Sequence, residues 1–299
     1  MKNNHIYTAS VTPHRAFAGK IRDYVMLVKM RLSIVVVFSS LMGYFIASGG
    51  DATFAKGILL AFGGLLVTFA ANALNQVLEK DFDILMTRTA DRPVATGRMK
   101  SSEAVMFSGL ACLVGISILA LFNPVTALLG MISLIIYAFV YTPLKRYSTL
   151  AVAVGAIPGA LPVMIGFAAH DATITYMALS IFIIQFLWQF PHFWSIGFLG
   201  FDDYNRAGYK LLPVRDERID RNLGLSSMFY ALLSLPVAVF MFMYLNVSFT
   251  STIIVCIAGL IYMLFSYQLH KNFDRPSAMK LMFYSFLYLP IVLLTYLLF

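Results

Sequence analysis

Nine apolar runs of about 20 residues recur along this chain, at roughly 25–48, 55–78, 104–121, 124–142, 149–168, 174–197, 225–245, 250–269 and 280–299. A helix of that length crosses the roughly 30 Å hydrocarbon core of a bilayer. A segment exposed to lipid must satisfy its own backbone hydrogen bonds, and the alternation of barrel strands is absent, so each run is expected to be a transmembrane helix. The expected fold class is all-α, a polytopic membrane bundle of nine transmembrane helices. Only 12% of the residues are charged, against about 25% in an ordinary soluble domain, and the mean hydropathy is +0.80. The length of 299 residues would allow two soluble domains, but the apolar runs exclude them. Breaks fall at SGGD (48–51), FNP (122–124), YTP (141–143) and the polar stretch from Asp202 to Asn222.

The bases are sorted by side. Six lysines and arginines lie at or before Arg31, and five lie between the second and third runs (Lys80, Arg88, Arg92, Arg98, Lys100). Two follow the fourth run (Lys145, Arg146), five the sixth (Arg206, Lys210, Arg215, Arg218, Arg221) and three the eighth (Lys271, Arg275, Lys280), which makes 21 of the 22 and leaves Lys56 for the opposite side. By the positive-inside rule the N-terminus is expected in the cytoplasm and the C-terminus outside. Residues 1–24 lack the apolar core of a signal peptide and are expected to be a cytoplasmic segment, with 25–299 a single intramembrane domain. A net charge of +8 suits a nucleic-acid partner in a soluble protein, but this membrane-sided distribution gives no reason to expect one. Cys112 and Cys256 each sit alone in an apolar run, a pattern of neither zinc site nor disulfide framework.

Against this background NQVLEKDFDILMTRTADRP (75–93) stands out for its charge. On a helix Asn75, Glu79 and Asp83 fall within about 80° of one another, and Asn72 joins them, while Asp81 does not. An amide and two carboxylates stacked a turn apart are hard oxygen ligands suited to Mg²⁺. A solvated helix end is the plainer alternative, but two like charges one turn apart repel. Arg88 and Arg92 follow, and arginine binds phosphate oxygens bidentately, so acids for a metal beside arginines for an anion describe a diphosphate site. Tyr141 and Lys145 of YTPLK end the fourth run at the same face and can reach a phosphate, although interfacial Tyr and Lys are also common anchors.

DDYNRAGYKLLP adds Asp202 and Asp203, with Arg206 and Lys210 beyond them. A second acid pair on the same side invites a second or shared metal, or is simply a helix cap. In QFLWQFPH, Gln185, Gln189 and His192 fall within about 60° on one helical face. Polar residues at membrane depth mark a bundle interior or a cavity, and Pro191 is expected to weaken the helix there. A buried histidine has the plainer role of satisfying a helix contact.

Together these motifs resemble the UbiA-type intramembrane prenyltransferase superfamily, which includes the 4-hydroxybenzoate polyprenyltransferases. The signature NxxxDxxxD followed by RTxxRP is matched by Asn75, Glu79 and Asp83, then Arg88-Thr89 and Arg92-Pro93, and YxxxK by Tyr141 and Lys145. Within it the chain is most similar to the protoheme IX farnesyltransferase (heme O synthase) family, through NQxxE, PHFW (Pro191 to Trp194) and DDYxxAGxxxLPV (Asp202 to Val214). The second acidic motif is DDY where the superfamily usually has DxxxD, so Asp202 and Asp203 both stand as candidates.

The resemblance implies farnesyl transfer from farnesyl diphosphate to a vinyl group of heme B, with addition of water, giving heme O for terminal oxidases. It implies Mg²⁺ on Glu79 and Asp83, with Asn75 and with Asp202 or Asp203, at the cytoplasmic face. Arg88, Arg92, Tyr141, Lys145 and Lys210 are then expected to bind diphosphate, with Asn72, Gln189 and Arg206 also among the substrate-binding candidates. His192 is the candidate heme contact, through the iron or a propionate. A bacterial inner-membrane location among lipid is implied, with a heme A synthase or a terminal oxidase as candidate partner. A quinone-precursor acceptor is the competing enzyme reading. A transporter is the other class, although charge gathered at one face is unlike the midplane sites of transporters.

Overall fold

Small residues decide what stands at the centre. In the computed structural model, which describes residues 13–299 and side chains from Ala18 onward, helix α7 (Ala151–Asp171) is almost wholly buried and packs against α2 (Met30–Ser48), α5 (Pro124–Ile135) and α8 (Tyr176–Leu199). A side chain placed on Gly166 would lie 2.0 Å from the Ser40 carbonyl, and one on Gly43 would lie 2.3 Å from the Val163 carbonyl. Without a hydrophobic drive between helices in lipid, such close backbone approach supplies the packing energy.

The remaining long helices are α3 (Phe54–Asp83), α4 (Ser101–Ala120), α10 (Leu223–Tyr244), α11 (Phe249–Asn272) and α12 (Arg275–Leu298). Helix α3 packs on α4 and α2, α10 on α11 and α8, and α12 on α11, α8 and α2. Nine helices among the described residues are long and apolar enough to cross a membrane. The chain is an integral multi-pass membrane protein.

Three boundaries differ from the sequence reading. The first span begins at Met30, because residues Pro13–Leu27 form a separate helix, α1, that ends where Lys29 takes a left-handed conformation (φ 48°). The chain does not break at YTP: α5 widens into a π-helical stretch (Ile136–Tyr141) and continues through α6 (Thr142–Leu144), which absorbs Pro143 in a first turn. Pro191 leaves α8 a continuous helix. The polar connection after α8 holds α9 (Phe201–Arg206) and a two-residue hairpin, β1 (Val214–Arg215) with β2 (Arg218–Ile219), turned by Asp216 and Glu217 at positive φ. Of the 1–24 segment, residues 1–12 lie outside the described residues.

Candidate active site

Helix α3 has 30 residues, about 45 Å at 1.5 Å per residue, so its last turns run past the hydrocarbon core. There it buries Asn72, Asn75, Gln76, Glu79 and Asp83 on one face while Asp81 is exposed, as the helical spacing predicts. The buried face meets the α1–α2 break. Gln76 Nε2 donates to the Met26 and Leu27 carbonyls (2.8 and 3.1 Å), and Asn72 Nδ2 donates to the Val28 carbonyl and Ser33 Oγ (both 3.1 Å). These amides satisfy carbonyls that the end of α1 leaves free.

Asn75 links three elements. Its Oδ1 accepts from Lys29 Nζ (2.7 Å), and its Nδ2 donates to Glu79 Oε2 (2.9 Å) and Thr142 Oγ1 (3.0 Å). Glu79 is 4% exposed and Asp83 0%. Arg92 Nη1 lies 2.7 Å from both Asp83 carboxylate oxygens and 3.9 Å from Glu79, and Lys145 Nζ forms an ion pair with Glu79 Oε1. That oxygen meets the ammonium without hydrogen-bond geometry and has no other partner. Burial pushes the Lys145 ammonium below the usual lysine range, and the Glu79 charge only partly restores it. Lys29 is pushed further down by burial and by the nearby Arg92 charge.

Lys145 comes from the chain just after α6, where the π-helical turn packs the tilted rings of Tyr137 and Tyr141 with centres 5.6 Å apart. Tyr137 donates to Asn72 (3.4 Å). The Tyr141 ring lies 4.9 Å from Lys145 Nζ and against Gly155, where a Cβ would be 2.7 Å from the ring. Only glycine admits the ring at that distance.

The structure divides the remaining candidates. Arg88 is exposed, and its Nη2 donates to Tyr204 Oη (3.3 Å). Arg206 pairs with Asp203 and donates to Thr87 (3.1 Å), while Thr87 donates to Asp203 (3.1 Å). Asp202 is exposed. Lys210 joins through its backbone, its N–H donating to the Lys145 carbonyl at 2.7 Å. Among the described residues no three His, Cys, Asp or Glu side chains gather into one cluster. The first acidic motif therefore offers two carboxylates and an amide, a donor set that fits Mg²⁺, which takes one or two carboxylates and fills its octahedron from phosphate and water.

Gln189 and His192 have other neighbours. Gln189 Nε2 donates to the Ala156 carbonyl (2.8 Å) and Gln185 to Ser39 (3.2 Å), so these glutamines bind α8 to α7 and α2. His192 stacks on Trp188 (4.8 Å), and its Nδ1 lies 2.7 Å from Ser285 Oγ. That hydroxyl gives its one hydrogen to the Met282 carbonyl (2.5 Å). With that hydrogen committed, Ser285 Oγ is free to accept from His192 Nδ1. Lys29, Tyr137, Thr142 and Tyr209 also belong to the site, and no sequence pattern singles them out; Lys29 is one of the six bases at or before Arg31.

Two buried carboxylates paired with cations thus sit at one end of a helical membrane bundle, and residues 36–287 match the UbiA prenyltransferase family. This chain belongs to that family and is an enzyme of its class. It is 40% identical over 282 residues to the protoheme IX farnesyltransferase of Cytophaga hutchinsonii, covering 94% of this chain and 98% of the relative. It is 39% identical over 288 residues to that of Christiangramia forsetii, covering 95% of each. Among solved structures, the fold is shared with a digeranylgeranylglyceryl phosphate synthase (TM-score 0.78, 17% identity, 93% and 98% covered). It is also shared with a UbiA homologue from Archaeoglobus fulgidus bound to GPP and Mg²⁺ (TM-score 0.65, 14% identity, 91% and 99% covered).

Proposed function

We propose that this chain transfers the farnesyl group of farnesyl diphosphate to a vinyl carbon of heme B, with addition of water, giving heme O. The names of relatives sharing 39–40% of the sequence end to end support the substrates, and one observation supports the chemistry. It is the pair of buried carboxylates, Glu79 and Asp83, each held against a cation that a phosphate can recruit.

Glu79 and Asp83, with Asn75 beside them, would hold Mg²⁺, with Asp202 or Asp203 a further candidate. When bound, the metal supplies positive charge to a diphosphate as its carbon–oxygen bond ionises. Arg92 and Lys145 are preorganised within reach of the same oxygens and stabilise charge as it develops on the leaving group. Arg88, Arg206 and Lys210 bring further positive charge at the mouth, and Tyr141 steadies Lys145 through its ring face. Asn72 and Gln189 act through position, since their amides hold backbone carbonyls.

The bond from farnesyl C1 to oxygen breaks with its electron pair leaving on the diphosphate. The vinyl π electrons close the new carbon–carbon bond, and the cation left beside the macrocycle takes a water and loses a proton. The apolar bundle keeps water from the first cation. His192, with Nδ1 against Ser285 Oγ, is the candidate heme contact, through the iron or a propionate, and a hydrogen bond from Nδ1–H to Ser285 would suit it to the iron.

The bacterial relatives and the distribution of lysine and arginine support a cytoplasmic membrane location with the α3–α4 end inside. A heme A synthase or terminal oxidase is the fitting recipient of the product. Membranes containing the protein, given labelled farnesyl diphosphate with heme B or with 4-hydroxybenzoate, are expected to label heme alone. Label in the benzoate alone would replace this acceptor with a quinone precursor.

A further inference from the structure

The chain beyond α9 brings a side chain to the site that the reaction above leaves unused. Tyr209 is 7% exposed. Its ring packs 6.0 Å from Phe82 at the end of α3 and 6.3 Å from Tyr204. Lys145 Nζ lies 5.2 Å from its ring centre, with the Tyr141 ring also in contact range of that nitrogen. The ammonium thus sits between two aromatic rings while its charge meets Glu79. The segment is held by its backbone: Gly208 turns at φ 71°, Tyr209 N–H donates to the Tyr204 carbonyl (2.9 Å), and Lys210 N–H donates to the Lys145 carbonyl.

The hydroxyl of Tyr209 is buried with no hydrogen-bond partner. A phenol is a donor, and the Glu79 carboxylate is the acceptor nearby. Glu79 Oε1 faces Lys145 and Oε2 accepts from Asn75, and neither closes a well-formed hydrogen bond with the Tyr209 hydroxyl. Buried hydroxyls without partners are rare because burying one unpaired is unfavourable. The packing around the ring needs only a phenylalanine.

We infer that Tyr209 is a further substrate-contacting residue, whose hydroxyl donates a hydrogen bond to a diphosphate oxygen held beside Glu79 and Lys145. This rests on the diphosphate part of the proposed function and not on heme as the acceptor. As the carbon–oxygen bond breaks and its electron pair stays with the diphosphate, the hydrogen bond strengthens and no proton changes hands. A ring over Lys145 and a hydroxyl on the leaving group give one side chain two separable duties.

The test is equilibrium binding of inorganic diphosphate, with MgCl₂, to the full chain in detergent. Tyr209→Phe keeps the ring and is expected to weaken diphosphate binding about tenfold and to lower kcat by at least that factor, the range for losing one donor to a charged group. Its melting temperature is expected to hold or rise. Tyr209→Leu, which also uncovers Lys145, is expected to lose more. Diphosphate affinity and kcat in Tyr209→Phe equal to those of the wild type would overturn the inference. Weakened diphosphate binding in that variant, in a wild type that leaves heme B unmodified, would uphold Tyr209 and sink the acceptor instead. Wild-type protein that binds no diphosphate would overturn both.

Discussion

Arg92 holds Asp83 through one guanidinium nitrogen equidistant, at 2.7 Å, from both carboxylate oxygens, and the acid side chain is fully buried. Two residues earlier, Asp81 is exposed. Asp83→Asn removes the charge that both a metal and Arg92 require and is expected to cut kcat by about 10²-fold or more. Asp81→Asn is expected to keep nearly all activity. The check is steady-state kinetics of both variants at matched membrane expression; equal losses would mean that the face of α3 does not define the site.

Burial lowers the proton affinity of Lys29 and Lys145 in the folded protein, whereas the unfolded chain holds those protons near the ordinary value of about 10.4. The unfolded state binds more protons, so raising the pH between the lowered folded values and the ordinary one increases the stability these groups contribute. The same rise strips positive charge from the site. kcat/KM is therefore expected to fall on its alkaline limb below the ordinary lysine value while the stability penalty of these buried groups is relieved. Lys145→Arg or Lys29→Arg is expected to shift the limb upward. An alkaline limb at the same pH in both variants would remove these lysines from the profile.

Ser285 is expected to matter through His192. Ser285→Ala takes away the acceptor for Nδ1–H and frees the ring to change tautomer. Heme affinity, followed by the Soret band, is expected to fall about 10–100-fold, the range for losing an outer-shell partner of a ligand histidine, with binding of inorganic diphosphate unchanged. An unaltered Soret titration would count against iron ligation.

Much of this was legible in the sequence, for physical reasons. Span count follows from length and apolarity, and the buried face of α3 follows from helical periodicity, so Asn75, Glu79 and Asp83 align from the sequence alone. What brings Lys29 to Asn75, or Tyr209 to Lys145, is a left-handed break and a docked loop. Such contacts between residues 46 or more apart carry no local pattern. The π-helical stretch before Tyr141 was hidden too, because YTP reads as a stop while the wider turn lets the helix continue.

Close crossing of α2 and α7 sets the frame that carries the site. Gly166→Ala would place a methyl group 2.0 Å from the Ser40 carbonyl, and overpacking of this kind costs about 1–3 kcal/mol. Its melting temperature is expected to drop by several degrees. Gly109→Ala on α4, where nothing lies within 4 Å of the new carbon, is expected to hold or raise it. Thermal unfolding of the two variants in one detergent makes the comparison.

The most direct test is the mass of the product formed by the purified chain from heme B and farnesyl diphosphate, with Mg²⁺ and with the metal chelated. The expected result is a heme heavier by one farnesyl group and one water, formed only when the metal is present. Unmodified heme B in the presence of Mg²⁺, from protein shown to bind both substrates, would contradict the proposed function.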